Sequence, residues 1–358
     1  MAVSKEESLP KKFFRKELVD ASLYRVEEHL GTKLDQNESP WDLPMDVKVA
    51  ITEELLKRDW NRYPLAIMDQ TKEALANDLA VRPSQVSIAN GSNILIQALI
   101  MSVPVGAKVL IVDPTFSVYE ACAKQLGRKI VKVPLSEAFE LLTERMLKTI
   151  KKEKPSLIFI PNPNANTGSL FEKKSLYRII QMAACPVVID EAYFPFSDET
   201  VLGWLQDLHN MMVLRTYSKA YGLAGLRLGA LIGHEDLVLQ IEKQLMPFRM
   251  NIPSLVAMQH VLKHPDLVKE RVDVLLKERA RVFSALQKIE GIQVFPSEAN
   301  FLLIRVQEPA ALFDQLLQEK VIVRLVDDGE ALKGCLRISI GTAEENDQFL
   351  AALKKTVG

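Results

Sequence analysis

The stretch RTYSKAYGLAGLRLGALIG, residues 215–233, sets one lysine, Lys219, among Ala, Gly and Leu, with Ser218 before it and Arg227 eight residues on. A lysine in such company is either a surface residue or an amine made easy to deprotonate, because withdrawal from water disfavours the ammonium form. A neutral amine attacks carbonyl carbon, so covalent chemistry on an aldehyde is the functional reading. Other polar residues stand where strands end. In VVIDEAY, Asp190 closes an apolar run, where a carboxylate must find a cation or lose free energy on burial. Its neighbour Glu191 reads as a solvated loop acid. In IANGSNILIQALI, Gly91, Ser92 and Asn93 open a helix whose N–H groups and dipole suit a phosphate, the alternative being a plain helix cap. In DPTFSVYEA, Phe116 follows a strand and could stack on a flat ligand or serve as a core aromatic. PNPNANTG, 161–168, is richer in amides than a simple turn needs.

The elements that must carry these residues are visible as a pattern. KVLIVD (108–113), KIVKVPL (129–135), SLIFIP (156–161), PVVIDEAY (186–193), MMVLRTYS (211–218) and LRLGALIG (226–233) are short, β-branched runs. Several are apolar at both alternating positions, as strands buried on both faces are. Amphipathic segments such as ERMLKTIKKE and KKSLYRIIQMAA lie between them. The alternation predicts an α/β fold, a mainly parallel sheet with helices on both faces. The link between the last two runs is too short for a helical crossover, so they should be antiparallel neighbours. After residue 234 come a long helix in HPDLVKERVDVLLKERARVFSALQKIEG, strands in QVFPSEANFLLIRV, a helix near 309–319, strands VIVRLV and CLRISIG, and a helix from 344. That is a smaller α+β unit. Ligands of open α/β sheets sit off the carboxyl ends of the strands.

Bulk properties narrow the classes. A chain of 358 residues with 25% charged and 48% hydrophobic residues has the makeup of an ordinary globular protein with room for two domains. A net charge of -1 offers no field for nucleic acid, and PKKFFRK reads as a solvated N-terminal arm. No run is long enough for a membrane span, and the acidic start SKEESLP lacks the apolar region of a secretory signal. Cys122, Cys185 and Cys335 read as reduced thiols of a cytoplasmic protein. His260 and His264 share a helical face but lack the glutamate of a zinc-protease helix, so no metal is expected. Neither GxGxxG after an early strand nor GxxxxGK[ST] is present, which argues against a dinucleotide or ATP site.

Taken together, LDQNESP, RYPL, NGSN, DPTFSVY, PNPNANTG, DEAY, RTYSKAYGLAGLRLG, VIVRLVDD and CLRISIGTAEEND resemble the fold-type I pyridoxal-phosphate aminotransferases, and among them the histidinol-phosphate group. The lysine block and the C-terminal block are the specific ones. The resemblance implies a mainly parallel seven-stranded sheet plus a smaller α+β domain. Residues 1–44 would form an N-terminal arm and part of the small domain, 45–255 the large cofactor-binding domain, and 256–358 the small one. It implies pyridoxal 5′-phosphate as cofactor, a homodimer sharing its active sites, and transamination of a phosphorylated amino alcohol, L-histidinol phosphate, with a 2-oxo acid, 2-oxoglutarate. Threonine-phosphate decarboxylase and aromatic amino-acid aminotransferase are the alternatives on this scaffold, and a non-catalytic binding protein is a third.

By the same resemblance Lys219 bonds to the cofactor aldehyde, Asp190 keeps the ring nitrogen protonated, Tyr193 bonds the ring 3′ oxygen and Phe116 covers the ring. Two unit charges about 4 Å apart at an effective dielectric near 20 attract by roughly 4 kcal/mol, enough to hold that proton at neutral pH. Gly91, Ser92 and Asn93, with Ser218 and Arg227, would take the phosphate. Arg324, Arg337, Tyr24 and Tyr63 would read the substrate, with Tyr63 reaching across the dimer. The sequence departs from the family at three places. Phe116 stands where many relatives have tyrosine, and Asn93 replaces an aspartate. The family's ring-binding asparagine aligns with Ala165, and its proline with Asn166, which leaves Asn164 as the expected substitute.

Overall fold

The structure, a computed structural model, describes residues 9–21, 29–327 and 329–357. After β1 (Thr32–Lys33), seven strands build the central sheet: β2 (Val86–Asn90), β3 (Lys108–Asp113), β4 (Lys129–Pro134), β5 (Leu157–Pro161), β6 (Val187–Asp190), β7 (Met211–Thr216) and β8 (Leu228–Gly233). Their order is β2-β8-β7-β6-β5-β3-β4. Only β8 runs against its neighbours; it pairs antiparallel with both β7 and β2. The link from β7 to β8 contains just the short turn Ala224–Leu226, which reverses the chain as the sequence predicts.

β5 and β6 are buried at every position, as strands covered on both faces must be. On one face Met146 and Ile150 of the helix Thr143–Glu153, and Leu176, Ile179 and Ile180 of Lys173–Met182, join a core with Ile158, Ile160 and Ile189. The spacing of three and four puts these side chains on one stripe, with the lysines outward. On the other face Leu95, Ile96 and Leu99 of Ser92–Ser102 pack with Tyr119 and Phe159. The helix Ile252–Val261, which straddles the expected boundary at 255/256, packs on Met45–Leu56 and Leu65–Asp78.

The second sheet is antiparallel, with β9 (Gln293–Phe295), β10 (Phe301–Arg305), β12 (Arg324–Leu325) and β13 (Cys335–Ser339) in the order β12-β13-β10-β9. The long helix Pro265–Leu286 and the helices Pro309–Gln318 and Ala343–Val357 cover it. VIVRLV, expected as one strand, is divided. Its first half, β11 (Val321–Ile322), pairs in parallel with β1, and β12 pairs with β13. The chain changes partner at Val323, and this ties the N-terminal segment to the small unit. PKKFFRK, expected as a plain solvated arm, contains the end of a short exposed helix, Leu9–Phe13, ahead of Lys16–Val19. Among the described residues no helix is long and apolar enough to cross a membrane.

Candidate active site

The carboxyl ends of β2, β3, β5, β6 and β7 open on one cavity of about 230 Å³. At the end of β2, Gly91 holds φ +91, and a Cβ there would lie 2.6 Å from the Arg227 guanidinium. Glycine therefore lets Arg227 rest against the start of Ser92–Ser102, and no side chain caps that helix. Ser92, Asn93 and Ser218 line the same corner, and Arg227 donates to Ser218 Oγ at 3.4 Å. First-turn N–H groups, hydroxyls and a guanidinium in one place form a cradle that fits a phosphate.

Phe116 follows β3 and lines the wall, and three residues later Tyr119 lies fully buried, stacked on Phe159 with centroids 4.6 Å apart. The Tyr119 hydroxyl donates to Asp190 Oδ2 at 2.5 Å, while the Ala192 N–H donates to Oδ1 at 3.0 Å. Burial pushes the Asp190 carboxyl up to about 6 against the pull of those two donors, so its charged form needs a cation. A protonated ring nitrogen fits that need.

Lys219 follows β7. Its Nζ donates to the Gln36 carbonyl at 2.6 Å, a contact from the segment after β1. Enclosure, then the nearby charge of Arg337, lowers its pKa from 10.5 to about 8. At pH 7 about one amine in ten is then neutral, against roughly one in 3,000 for an ordinary lysine. The chemistry inferred from the lysine's apolar setting is open to this side chain.

Tyr193 lines the cavity with its hydroxyl bonded to Asn37 Nδ2 at 2.8 Å. The loop 161–168 contributes Pro161, Pro163 and Ala165 to the wall. Asn164, the expected substitute, does not reach the cavity. Its Nδ2 donates to Pro114 O at 3.0 Å, and its Oδ1 accepts from the N–H groups of Asn166 and Thr167 at 2.9 and 3.1 Å. The side chain is consumed in holding the loop, and Asn166 likewise donates to Thr115 O.

Arg324 and Arg337 are direct cross-strand partners on β12 and β13, and both line the cavity. Like charges facing each other across a ladder repel, so an anion between them is favoured. Arg337 is held by the carbonyls of Asp35 and Ala165, at 3.0 and 3.2 Å. Tyr63 is not part of this wall. It is 72% exposed and stacks on Phe248, ring centroids 4.0 Å apart. Tyr24 lies outside the described residues.

Glu191 is not the solvated acid the sequence suggests. It is buried and accepts from Arg215 Nε and Nη2 at 3.1 and 2.7 Å, from Thr200 and from the Val201 N–H. Arg215 stands over the Phe194 ring at 3.8 Å, so this buried pair locks the turn that carries Asp190 and Tyr193. Sequence reasoning also missed Tyr119 and Asn37. The first could be suspected from its place one helical turn past Phe116, and the second gives no local signal.

Residues 31–353 match the family described as Aminotransferase class I and II. The histidinol-phosphate aminotransferase of Aquifex aeolicus is 40% identical over 91% of this chain and 93% of its own length. The structure of histidinol-phosphate aminotransferase from Sinorhizobium meliloti in complex with pyridoxal-5′-phosphate superposes with a TM-score of 0.87 at 24% identity, covering 99% of this chain and 98% of that one. The L-threonine-O-3-phosphate decarboxylase of Porphyromonas gingivalis has the same fold, with a TM-score of 0.79 at 21% identity over 90% of this chain and 98% of its own. The decarboxylase shows that the fold alone does not choose the reaction; the match along the sequence is the narrower finding. The chain belongs to the class I and II aminotransferase family and is a pyridoxal-phosphate-dependent aminotransferase of fold type I.

Proposed function

We propose that the protein transaminates L-histidinol phosphate with 2-oxoglutarate, giving imidazole-acetol phosphate and L-glutamate. The observation that carries this reading is the facing pair Arg324 and Arg337 in the same cavity as Lys219. Both substrates end in an anion away from the reacting carbon, and one arginine pair can grip each in turn.

Bound pyridoxal phosphate supplies an aldehyde and a ring that withdraws electrons. Gly91, Ser92, Asn93, Ser218 and Arg227 hold its phosphate, and Phe116 covers one face of the ring. Asp190 holds the proton on the ring nitrogen, and Tyr193 donates to the 3′ oxygen. The Lys219 amine would hold the aldehyde and would take the proton from the substrate Cα.

Assay of the two candidate reactions tests the choice. Purified enzyme given histidinol phosphate and 2-oxoglutarate should form glutamate, and given threonine phosphate it should release no carbon dioxide. Carbon dioxide release from threonine phosphate without glutamate formation from histidinol phosphate contradicts the reading.

The working unit is proposed to be a homodimer in which Tyr63 serves the partner's site. Tyr63 and its near neighbours in sequence Trp60 and Leu65 are 72%, 70% and 55% exposed, and none of the three lines the cavity. Tyr63→Ala and Lys219→Ala proteins, each inactive alone, should recover about a quarter of the wild-type activity after subunit exchange, since half the dimers then carry one complete site. Exchange without recovery contradicts sharing.

A further inference from the structure

Asn37 lies in LDQNESP, 1% exposed, with its backbone in the left-handed region at φ +54. Its N–H donates to Ser339 Oγ at 2.8 Å, and Ser339 Oγ lies 2.9 Å from Asn37 Oδ1. Asn37 Nδ2 reaches the Tyr193 hydroxyl at 2.8 Å, and Asn300 Nδ2 donates to the Asn37 carbonyl at 3.0 Å. Ser339 and Asn300 are buried like Asn37.

Counting hydrogens fixes the direction of every bond in this chain. A backbone N–H can only donate, so Ser339 Oγ accepts from it; an Asn37 amide turned the other way would give that oxygen a second donor and leave the serine hydrogen no acceptor among the described residues, so the hydroxyl donates to Asn37 Oδ1. The amide oxygen is thereby turned to Ser339 and its NH₂ to Tyr193. The Tyr193 oxygen must then accept, because an amide NH₂ offers no lone pair. Its own single hydrogen remains for the cavity that Tyr193 lines. On the adjoining wall Pro163 and Ala165 offer no donor from their side chains, and the amides of Asn164 and Asn166 donate instead to the carbonyls of Pro114 and Thr115.

We propose that Asn37, clamped by Ser339, is a positioning residue that commits the Tyr193 hydroxyl to donate into the cavity, onto the 3′ oxygen of the bound cofactor. The inference rests on the proposed placement of that cofactor. Ser339 lies on β13, two residues past Arg337, so the strand that grips substrate also sets the polarity of the group facing the ring. The enclosed Tyr193 phenol has its pKa raised by burial, which keeps its proton available to donate.

A double-mutant cycle on the bound cofactor's colour tests this. A donor on the ring oxygen stabilises its negative charge and competes with the proton held beside it; loss of the donor raises the pH midpoint of the colour change. Asn37→Asp keeps size and backbone but has only acceptors, so it draws the Tyr193 hydrogen away. With wild-type, Asn37→Asp, Tyr193→Phe and doubly substituted proteins loaded with pyridoxal 5′-phosphate, Asn37→Asp should raise the midpoint about 1 pH unit more in the wild-type background than in the Tyr193→Phe background, the scale of one hydrogen bond to a charged group. The added charge of the aspartate acts in both backgrounds and cancels. Equal shifts in the two backgrounds overturn the inference. Ser339→Ala, which removes only the clamping hydroxyl, provides the same cycle if Asn37→Asp does not fold, with a smaller coupling of the same sign expected and none contradicting it. A wild-type protein that takes up no pyridoxal phosphate overturns the proposed function itself, and this inference with it.

Discussion

Lys219→Ala is expected to lower turnover by about 10⁴-fold or more and to leave pyridoxal phosphate held without a covalent bond. Two losses combine. The amine that moves the substrate proton is gone, a role worth up to about 10⁴ by itself. The covalent hold on the aldehyde is gone as well. The structure explains why this lysine is suited to both. Its Nζ is enclosed and tethered to the Gln36 carbonyl, and its pKa of about 8 frees about 300 times more neutral amine at pH 7 than an ordinary lysine has. Covalent uptake of the cofactor by the apoprotein should therefore quicken as pH rises toward 8 and level off above it. Single-turnover spectroscopy checks both points. A Lys219→Ala protein that still turns over within tenfold of wild type contradicts the assignment.

Asp190→Asn is expected to reduce turnover by about 10³-fold, the equivalent of losing roughly 4 kcal/mol of attraction for the ring cation. It should do the opposite to the stability of the apoprotein. The Asp190 carboxyl is raised from 3.8 to about 6, so the folded apoprotein favours its protonated form. The stability this provides is full below pH 3.8 and is lost as pH rises through about 6. At pH 7–8 the charged, buried carboxylate costs the apoprotein up to about 3 kcal/mol, a penalty that a neutral amide in its place does not carry. Asp190→Asn apoprotein should thus melt higher than wild type at pH 7, with the gap closing near pH 4. Tyr119→Phe separates charge from hydrogen bonding, because it leaves the carboxylate but removes the donor on Oδ2. Its expected cost is about 10- to 100-fold in turnover, the value of one hydrogen bond to a charged group. Equal losses in the two variants contradict a role for the charge itself.

The fold was legible where a single rule governs a segment. β5 and β6 are apolar at consecutive positions because both faces are covered, and that composition is plain in the run of residues itself. The short link after Lys219 excluded a crossover, so the reversed β8 followed. The site was legible at strand ends, where Asp190 and Lys219 interrupt apolar runs. What stayed hidden depends on partners distant along the chain. Glu191 looks solvated until Arg215 is folded against it, and VIVRLV looks continuous until β1 and β13 compete for its two halves. Asn164 has the right chemistry for a ring contact, yet the loop's own N–H groups claim its oxygen first. Local hydrogen bonds of that kind are short-range and strong, and a residue type alone does not reveal which way its amide turns.

Lys219 Nζ is the atom proposed to join the cofactor. Holoenzyme reduced with borohydride and digested gives the direct test, because reduction makes the bond permanent and peptide mass locates it. The cofactor is expected on the peptide carrying Lys219, and the Lys219→Ala protein is expected to release it unbound on digestion. A reduced adduct on any other lysine, or none on a protein saturated with pyridoxal phosphate, contradicts that proposal.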